Sequence, residues 1–591
     1  MVVRWIRIAC TFFLFTFGFY VANAQGVKCF DISTYTHPNS LRHWKYISVD
    51  SSVFSRTIDS ILADFHKEGY FGSKVDTVKC HDTCQVIIFK GEKIRAMHLL
   101  LSDEDNAMLE NAGVHWEKAP LKFLDKNERQ IVFDHVCQYY GNIGYPFYKI
   151  QMDDVTFQKD TCFAQLIMDK GPRVKIDSIV ITGDIRLKKS FFYRYLSISR
   201  GSFYNHGLIE DIPDKLNNLP FMNLEKPPSL WFDDGSATLS LYVNKKPASR
   251  FDFLLGVIPQ QNVTDGKKYV FTIDFVGELY NAFGYGEYSY LQIKRLKPSQ
   301  FNLNLKSDIP YLGSLPVGSY LEFKILNSGV ENFDVSFELG GQWVFGRGNT
   351  LRLLYKQFSS SLISIDTIQL KKNMRLPDRL DLQQTSGGMQ FLYKKLDYIY
   401  NPTKGYAFDI KAMIGKKKFK QNIDILKIEG YENAYDTLRA SSIFSEISVQ
   451  GAYYHTLNTW SSIKTALHAQ INYNPEKVSL NEFFRVGGNA SIRGFEEQSI
   501  LTDRYTYFSA EFHINFDKNS FLSLPFIDVG WAHVQGENNT FYTDRIIGVG
   551  LGLNFGTKAG LFNVSFAAGQ RIGLPIDFSK MKVHFGYVNL F

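Results

Sequence analysis

The hydrophobic rhythm of the chain changes part-way along. From residue 248 onward apolar and polar residues alternate with the period of two that a strand imposes, as in Ser319-Tyr320-Leu321-Glu322-Phe323-Lys324-Ile325. Turn signals such as Gly346-Arg347-Gly348 and Asn401-Pro402-Thr403-Lys404-Gly405 separate the runs. Sixteen candidate strands result: 248–259, 267–279, 284–297, 301–309, 318–326, 331–342, 349–365, 384–398, 405–416, 438–455, 460–473, 504–516, 521–534, 544–555, 561–569 and 582–591. An even number of such segments, with charge on one face and apolar residues on the other, predicts a transmembrane antiparallel β-barrel with a wet lumen. A soluble sandwich needs a dry core from both sheets, and charges at alternate positions in so many strands oppose it.

Before residue 248 the spacing is mixed. Phe54, Ile58, Ile61, Leu62 and Phe65 recur with helical spacing, Gly69 ends that helix, and Val75, Val78 and Cys80 alternate as a strand before another at 85–89. The order recurs: a helix over 128–140, breaks at Gly141 and Gly144, then strands from Tyr145-Pro146-Phe147 and over 162–168. A third unit opens at Gly171-Pro172-Arg173, runs as a strand to Ile181, and continues with helices over 188–196 and 208–216 and a closing strand over 237–244. Repetition on this scale predicts an array of small α+β modules. The expected divisions are 25–92, 93–170, 171–246 and a barrel over 247–591, with the first module lacking a clear opening strand.

The N-terminus adds an export signal. Arg4 and Arg7 precede an apolar run from Ile8 to Val21, and Ala22-Asn23-Ala24 supplies a small-x-small cleavage site, so 1–24 reads as a signal peptide. The other reading, a membrane anchor, has too short an apolar run. Aromatic residues make up 15% of the 591 residues, which suits interfacial girdles. A net charge of +7 is mild for this length, and no zinc-knuckle, P-loop or dinucleotide fingerprint is present, so no nucleic-acid partner and no cofactor are expected. Of six cysteines, Cys10 lies in the leader and Cys29, Cys80, Cys84, Cys137 and Cys162 follow it. Cys80 and Cys84 flank a turn and could face each other across it in an oxidising compartment; the overall connectivity stays open. His81 between them has no second ligand pair, so no metal site is expected.

One stretch breaks the barrel rhythm. Arg485-Val486-Gly487-Gly488-Asn489-Ala490-Ser491-Ile492-Arg493-Gly494-Phe495 is too rich in glycine for a strand and lies between the eleventh and twelfth candidates. It reads as a loop folded back into the lumen, with Gly487-Gly488 permitting a tight reversal and Arg493 as its anchor. A buried guanidinium needs carboxylates. Glu511 in Ser509-Ala510-Glu511-Phe512 and Asp528 in Phe526-Ile527-Asp528-Val529-Gly530 lie on the next two strands. Two adjacent inward acids can receive one arginine fork.

The ordered set of Arg493-Gly494-Phe495, Ser-Ala-Glu-Phe, Phe-x-Asp-x-Gly and the upstream modules resembles the BamA/TamA superfamily of outer-membrane assembly and translocation barrels. The likeness covers nearly the whole mature chain, and the modules resemble POTRA domains, the third most fully. Three such units make the build TamA-like. The terminal strand 583–591 resembles the outer-membrane C-terminal signal, with Asn589 in place of its usual apolar residue.

By that resemblance, Arg493 locks the loop to the wall through Asp528 and Glu511; a purely structural tether explains the same residues equally well. The family works without catalysis, through periplasmic modules and a seam between first and last strands. Phe251, Phe253, Phe585, Tyr587 and Phe591 are the seam residues here. Implied partners are unfolded outer-membrane or surface protein clients, outer-membrane lipid, and periplasmic, lipoprotein or inner-membrane proteins. A passive channel or surface receptor with spacer modules is the alternative. A lipase is disfavoured because His455, His468 and His513 lack a partner motif.

Overall fold

A computed structural model describes residues 28–590 except 36–41, 49–50, 81–82, 115–120, 123–125, 159, 260–268, 296–299, 330, 347, 398–400, 437, 440, 476–477, 489–490, 497, 518–519, 536–539, 558–559, 572–574, 576 and 578–580. The expected signal peptide lies outside the described residues, as do His81 and Phe591. The chain divides into two compact units. One is the N-terminal 175 residues with Phe203–Gly207, and the other is Ile176–Ser202 with Leu208–Phe591.

The first unit holds two small sheets of the same design. In the first, the strand order is Arg42–Ser48, Lys28–Tyr35, Thr83–Phe89, Lys74–Cys80. The central pair is parallel and the flanking pairs are antiparallel. The helix Ser51–Lys67 lays Ile58, Ile61, Leu62 and Phe65 on Val86 and Ile88, the face its helical spacing predicted. Cys80 and Cys84 are registered partners at the turn. The missing opening strand is Lys28–Tyr35, which pairs antiparallel with the adjacent Arg42–Ser48 and parallel with Thr83–Phe89, the strand farthest from it in the module's sequence. The second sheet, ordered Leu121–Lys122, Ala96–Leu100, Thr161–Asp169, Lys149–Gln158, repeats the parallel central pair. Leu109, Val136, Tyr140 and Leu166 form its core beneath helices Asp103–Asn111 and Lys126–Asn142. Burial pushes the Tyr148 phenol and the Cys137 thiol of this core up from their ordinary values.

The second unit begins with a third sheet, ordered Met222–Asp233, Ser236–Lys245, Lys175–Thr182. The single helix expected over 208–216 is instead two, His206–Glu210 and Ile212–Asn217, with Pro213 in the first turn of the second. Proline is tolerated there but not inside a continuous helix, so the chain breaks at Asp211. The strand Met222–Asp233 escaped the pattern because Pro227-Pro228 interrupts it; the register shifts between Leu224 and Ser229 to pass the pair.

This module is seated on one end of the barrel. Phe191, on the helix Lys189–Tyr195, is buried against the Tyr311 ring at 5.7 Å and fills the space over Gly286, where a Cβ would clash with its ring. Lys188 N–H donates to the Gly284 carbonyl (3.0 Å), and Asn281 Nδ2 donates to the Arg186 carbonyl (3.0 Å).

The barrel follows as β1 (Arg250–Pro259), β2 (Tyr269–Tyr280), β3 (Tyr288–Arg295), β4 (Gln300–Ile309), β5 (Gly318–Ser328), β6 (Asn332–Phe345), β7 (Asn349–Leu362), β8 (Leu382–Leu396), β9 (Gly405–Phe419), β10 (Ser442–Asn458), β11 (Ser461–Tyr473), β12 (Arg504–Asn515), β13 (Phe521–Gln535), β14 (Phe541–Thr557), β15 (Gly560–Arg571) and β16 (Lys582–Leu590). Neighbours pair antiparallel around a closed ring of sixteen, each matching one expected strand. Leu321, Leu339 and Leu353 point out, while Glu322, Glu338 and Arg352 point in. The inward charges are matched: Glu322 holds Lys306 (3.1 Å) and Lys324 (2.9 Å), Glu338 holds Lys411 (2.6 Å) and Glu446 holds Lys356 (2.9 Å). No described helix is long and apolar enough to cross a membrane.

At the end opposite the third module, two connections carry short helices that the sequence pattern did not reveal. Thr367–Asn373 follows β7 and Ile423–Leu426 follows β9. They share a core of Leu370, Leu380, Ile425, Ile428, Tyr431 and Tyr435.

Candidate functional site

The connection from β11 to β12 carries the glycine-rich stretch. Its stem is a short hairpin, Phe484–Val486 against Ile500–Thr502. Its tip turns through Gly487 (φ 110°), Gly488 (φ 101°) and Gly494 (φ 89°), conformations that disfavour any side chain. Val486 and Ile492 pack with Tyr507 of β12 and Ile546 of β14, with Phe495 at their edge.

Arg493 reaches the wall with its whole donor fork. Nε donates to Asp528 Oδ2 (2.8 Å) and Nη2 to Asp528 Oδ1 (2.6 Å), a bidentate pair. Nη1 donates to Glu511 Oε1 (3.1 Å), Nη2 also to Ser509 Oγ (2.9 Å), and the backbone N–H to Asp528 Oδ2 (3.1 Å). The guanidinium carbon lies 3.7 Å from the centre of the Phe526 ring. Period-two alternation puts Ser509 and Glu511 on the inner face of β12, and the registered pair Ser509↔Asp528 brings the second acid alongside. Asp528 is 0% exposed, so its charge depends on these partners. Glu511 is shared further: Lys464 (2.9 Å), His513 Nε2 (2.9 Å) and Ser523 Oγ (3.1 Å) all bond it.

Two parts of the site have no counterpart among the residues singled out from sequence, Gly530 of the Phe-x-Asp-x-Gly motif excepted. The first is a glycine floor. A Cβ at Gly548 would strike the Arg493 carbonyl oxygen, one at Gly569 would meet Gly494 and the Phe495 ring, and one at Gly530 would meet Ile492. The loop backbone thus lies directly on β14 and β15 at Gly548 and Gly569, with the Ile492 side chain over Gly530 of β13. Beyond this floor Glu496 meets Lys582 of β16 at 3.1 Å.

The second part is another anchor, at the loop's entrance. Ser479 and Glu482 form a capping box around the turn Leu480–Glu482. Glu482 Oε2 receives Lys417 Nζ of β9 (2.8 Å) and Oε1 receives Gln384 Nε2 of β8 (2.6 Å). The side chains of this pair are 0% and 1% exposed. Burial pushes the Glu482 carboxyl up, against the pull of Lys417 and the bonds from Ser479 and Gln384. Asn481 Nδ2 bonds Ser360 Oγ (2.7 Å) and the Leu380 carbonyl (2.8 Å), tying the loop to the helix-bearing cap. The Ser-x-x-Glu spacing was the available sequence signal for the box; the lysine, 65 residues away, had none.

The remaining expected residues lie at the junction of β1 and β16. Those strands are registered at Arg250↔Leu590 and Phe251↔Asn589 alone, among the described residues. Phe251 is exposed on the outer face; the side chains of Phe253, Phe585 and Tyr587 lie outside the described residues.

The Omp85 superfamily domain matches residues 281–579, half of the chain. The chain belongs to the Omp85 superfamily. Barrels of this superfamily are outer-membrane proteins of insertion and translocation systems. Among solved structures, CdiB from Escherichia coli aligns at a TM-score of 0.51 with 14% identity, covering 91% of this chain and 98% of its own. CdiB from Acinetobacter baumannii aligns at 0.50 with 13% identity, covering 84% and 90%. BamA from Haemophilus ducreyi lacking POTRA domains 1-3 aligns at 0.45 with 16% identity, covering 84% and 100%. At these identities the likeness is one of fold. No curated protein matches the sequence. The Omp85 barrel here is preceded in sequence by small α+β modules, as the sequence pattern predicted.

Proposed function

We propose that this Omp85 barrel inserts or translocates outer-membrane or surface proteins, with β1 and β16 as a lateral gate and the α+β modules receiving clients in the periplasm. The observation that carries this reading is the sparse β1–β16 pairing. An unpaired strand edge presents backbone N–H and C=O groups that recruit another strand, and in lipid such groups must find a partner. A client strand is the partner of matching chemistry. In the modules, the edge strand Lys149–Gln158 leaves Met152, Val155 and Phe157 exposed, which suits capture of extended apolar segments.

In this reading 1–24 is removed on export, the modules span 25–92, 93–170 and 171–246, and the barrel spans 247–591. Arg493, Asp528 and Glu511 hold the β12–β15 wall rigid beside the gate. Lipoprotein or inner-membrane proteins are further partners of the modules. Depletion of the protein followed by a census of the outer-membrane proteome tests the proposal. Loss of a defined set of barrel or surface proteins is the expected result. An unchanged census with altered small-solute permeability would instead establish a passive channel.

A further inference from the structure

The outward face of the barrel changes character at the end next to the third module. From β6 to β9 that end carries a run of aromatic rings. Phe345, Phe391, Tyr393, Tyr406 and Phe408 follow one another with ring centres 5.6–6.2 Å apart. Such a girdle marks a membrane interface. On β3 to β5 the girdle stops: the outward residues nearest the same end are Ser289, Ile309 and Ser319.

Where the girdle stops, the wall is hollowed. Ser319 of β5 and Gly341 of β6 are registered neighbours, and a Cβ at Gly341 would meet nothing within 4 Å. An open groove of about 590 Å³ lies over them. Leu339 and Tyr355, themselves a registered pair, border it toward the middle of the wall. Trp343 and the turn residues Leu312 and Val317 border it toward the third module. A hollow lined in this way on the lipid side of a barrel suits a hydrocarbon chain.

Cations stand at this same end. The third module contributes Arg186, Lys188, Lys189 and Arg194, all exposed and none with a carboxylate partner among the described residues. Barrel contacts fix their place. Asn281 Nδ2 holds the Arg186 carbonyl (3.0 Å), and Lys188 Nζ lies 3.8 Å from the centre of the Tyr285 ring. Arg194 is close enough to act on the hydroxyl of Tyr311, the residue before Leu312 of the groove. The nearest acids are engaged elsewhere: Glu287 accepts the Phe283 and Tyr285 N–H groups (2.7 and 3.0 Å), and Asp184 accepts the Lys245 N–H (2.6 Å). The turn tips among these cations are apolar and exposed, Phe283 at 73% and Leu315 at 53%.

We propose that this end of the wall seats an anionic phospholipid of the leaflet that faces the modules, one acyl chain in the Ser319–Gly341 hollow and its phosphate among Arg194, Lys188, Lys189 and Arg186. Groove, apolar turn tips and cations lie together at the third-module end of the wall, in the order that hydrocarbon, interface and headgroup follow in a bilayer. Basic residues at a membrane surface favour acidic lipid over zwitterionic lipid of the same chain length. The bound lipid would also hold the third module against the bilayer beside the barrel mouth. The inference rests on the reading above that the modules lie in the periplasm.

The test uses the full-length protein in phosphatidylcholine nanodiscs doped with phosphatidylglycerol or phosphatidylcholine that carries a photoreactive group in its acyl chain. Labelled peptides are quantified by mass spectrometry, with label on 312–319 and 339–343 read relative to label on the girdle, 391–408. For the natural chain that ratio should be about tenfold higher with phosphatidylglycerol. The variant Arg186→Gln/Lys188→Gln/Lys189→Gln/Arg194→Gln should fall to the phosphatidylcholine ratio, and Arg186→Lys/Lys188→Arg/Lys189→Arg/Arg194→Lys should keep the enrichment. Gly341→Leu fills the hollow without touching the cations and should also lose it. Girdle label and Tm verify that each variant is folded. Equal ratios for the two lipids in the natural chain, or an enrichment that survives in the glutamine variant or in Gly341→Leu, overturns the proposal. Protease cleavage within 420–441 on intact cells tests the orientation separately: cleavage without lipid-selective labelling rejects the lipid site and leaves the orientation standing.

Discussion

The barrel wall at β8–β9 and its junction at β1–β16 are built to opposite specifications. β8 and β9 ladder without a shift from Leu382↔Phe419 to Leu396↔Gly405. Their lumen side is bolted again by the buried Lys417–Glu482 pair and Gln384. β1 and β16 are registered at two positions among the described residues. Each backbone hydrogen bond contributes about 0.5–1.5 kcal/mol net in water and more in an apolar medium. In the proposed reading, opening is least costly at this junction. The lumen loop accentuates the difference. It is held at its entrance by β8 and β9, and at its tip by β12 and β13. It lies on the glycines of β13 to β15 and stops at β16 with the exposed Glu496–Lys582 pair.

The contrast can be broken at several points. Arg493→Ala should have the largest effect. It leaves the fully buried Asp528 without its cation, and removing one member of a buried pair costs about 3–5 kcal/mol. Denaturant unfolding in detergent should show that loss, and hydrogen exchange should show β12 and β13 opening more than β8 and β9. Glu482→Gln keeps the shape of the second anchor but leaves Lys417 without a counter-charge; a loss of about 1–3 kcal/mol is expected, with exchange rising at β8 and β9 instead. Gly548→Ala should cost about 1–3 kcal/mol by driving a methyl into the Arg493 carbonyl and lifting the loop off its floor. Ser491→Ala removes the bond from Gly487 N–H to Ser491 Oγ (2.8 Å) and should cost about 1 kcal/mol, sharpening the tip's share of the total.

Both walls and the site were legible in the sequence to different depths. All sixteen barrel strands could be read because lipid on one side and water on the other write period two into each of them. The Arg493 partners could be read because a buried guanidinium demands acids and only two lay on the adjoining strands in the expected motif context. Lys417 could not be matched to Glu482, because a lumen-facing lysine looks the same whether it meets water or a carboxylate brought from a distant loop. The strand Met222–Asp233 was missed because two prolines mask a strand that passes them with a register shift.

The account's central claim is that the junction opens to receive clients. Phe251→Cys with Asn589→Cys places a cross-linkable pair at a registered position of β1 and β16, and Met389→Cys with Ala412→Cys places one at a registered position of β8 and β9. The measurement is client assembly in cells carrying each oxidised pair, with barrel folding checked in parallel. Assembly should stop with the β1–β16 pair closed, resume on reduction, and continue unaffected with the β8–β9 pair closed. Undiminished assembly through a folded barrel whose β1–β16 junction is fully cross-linked would contradict the account.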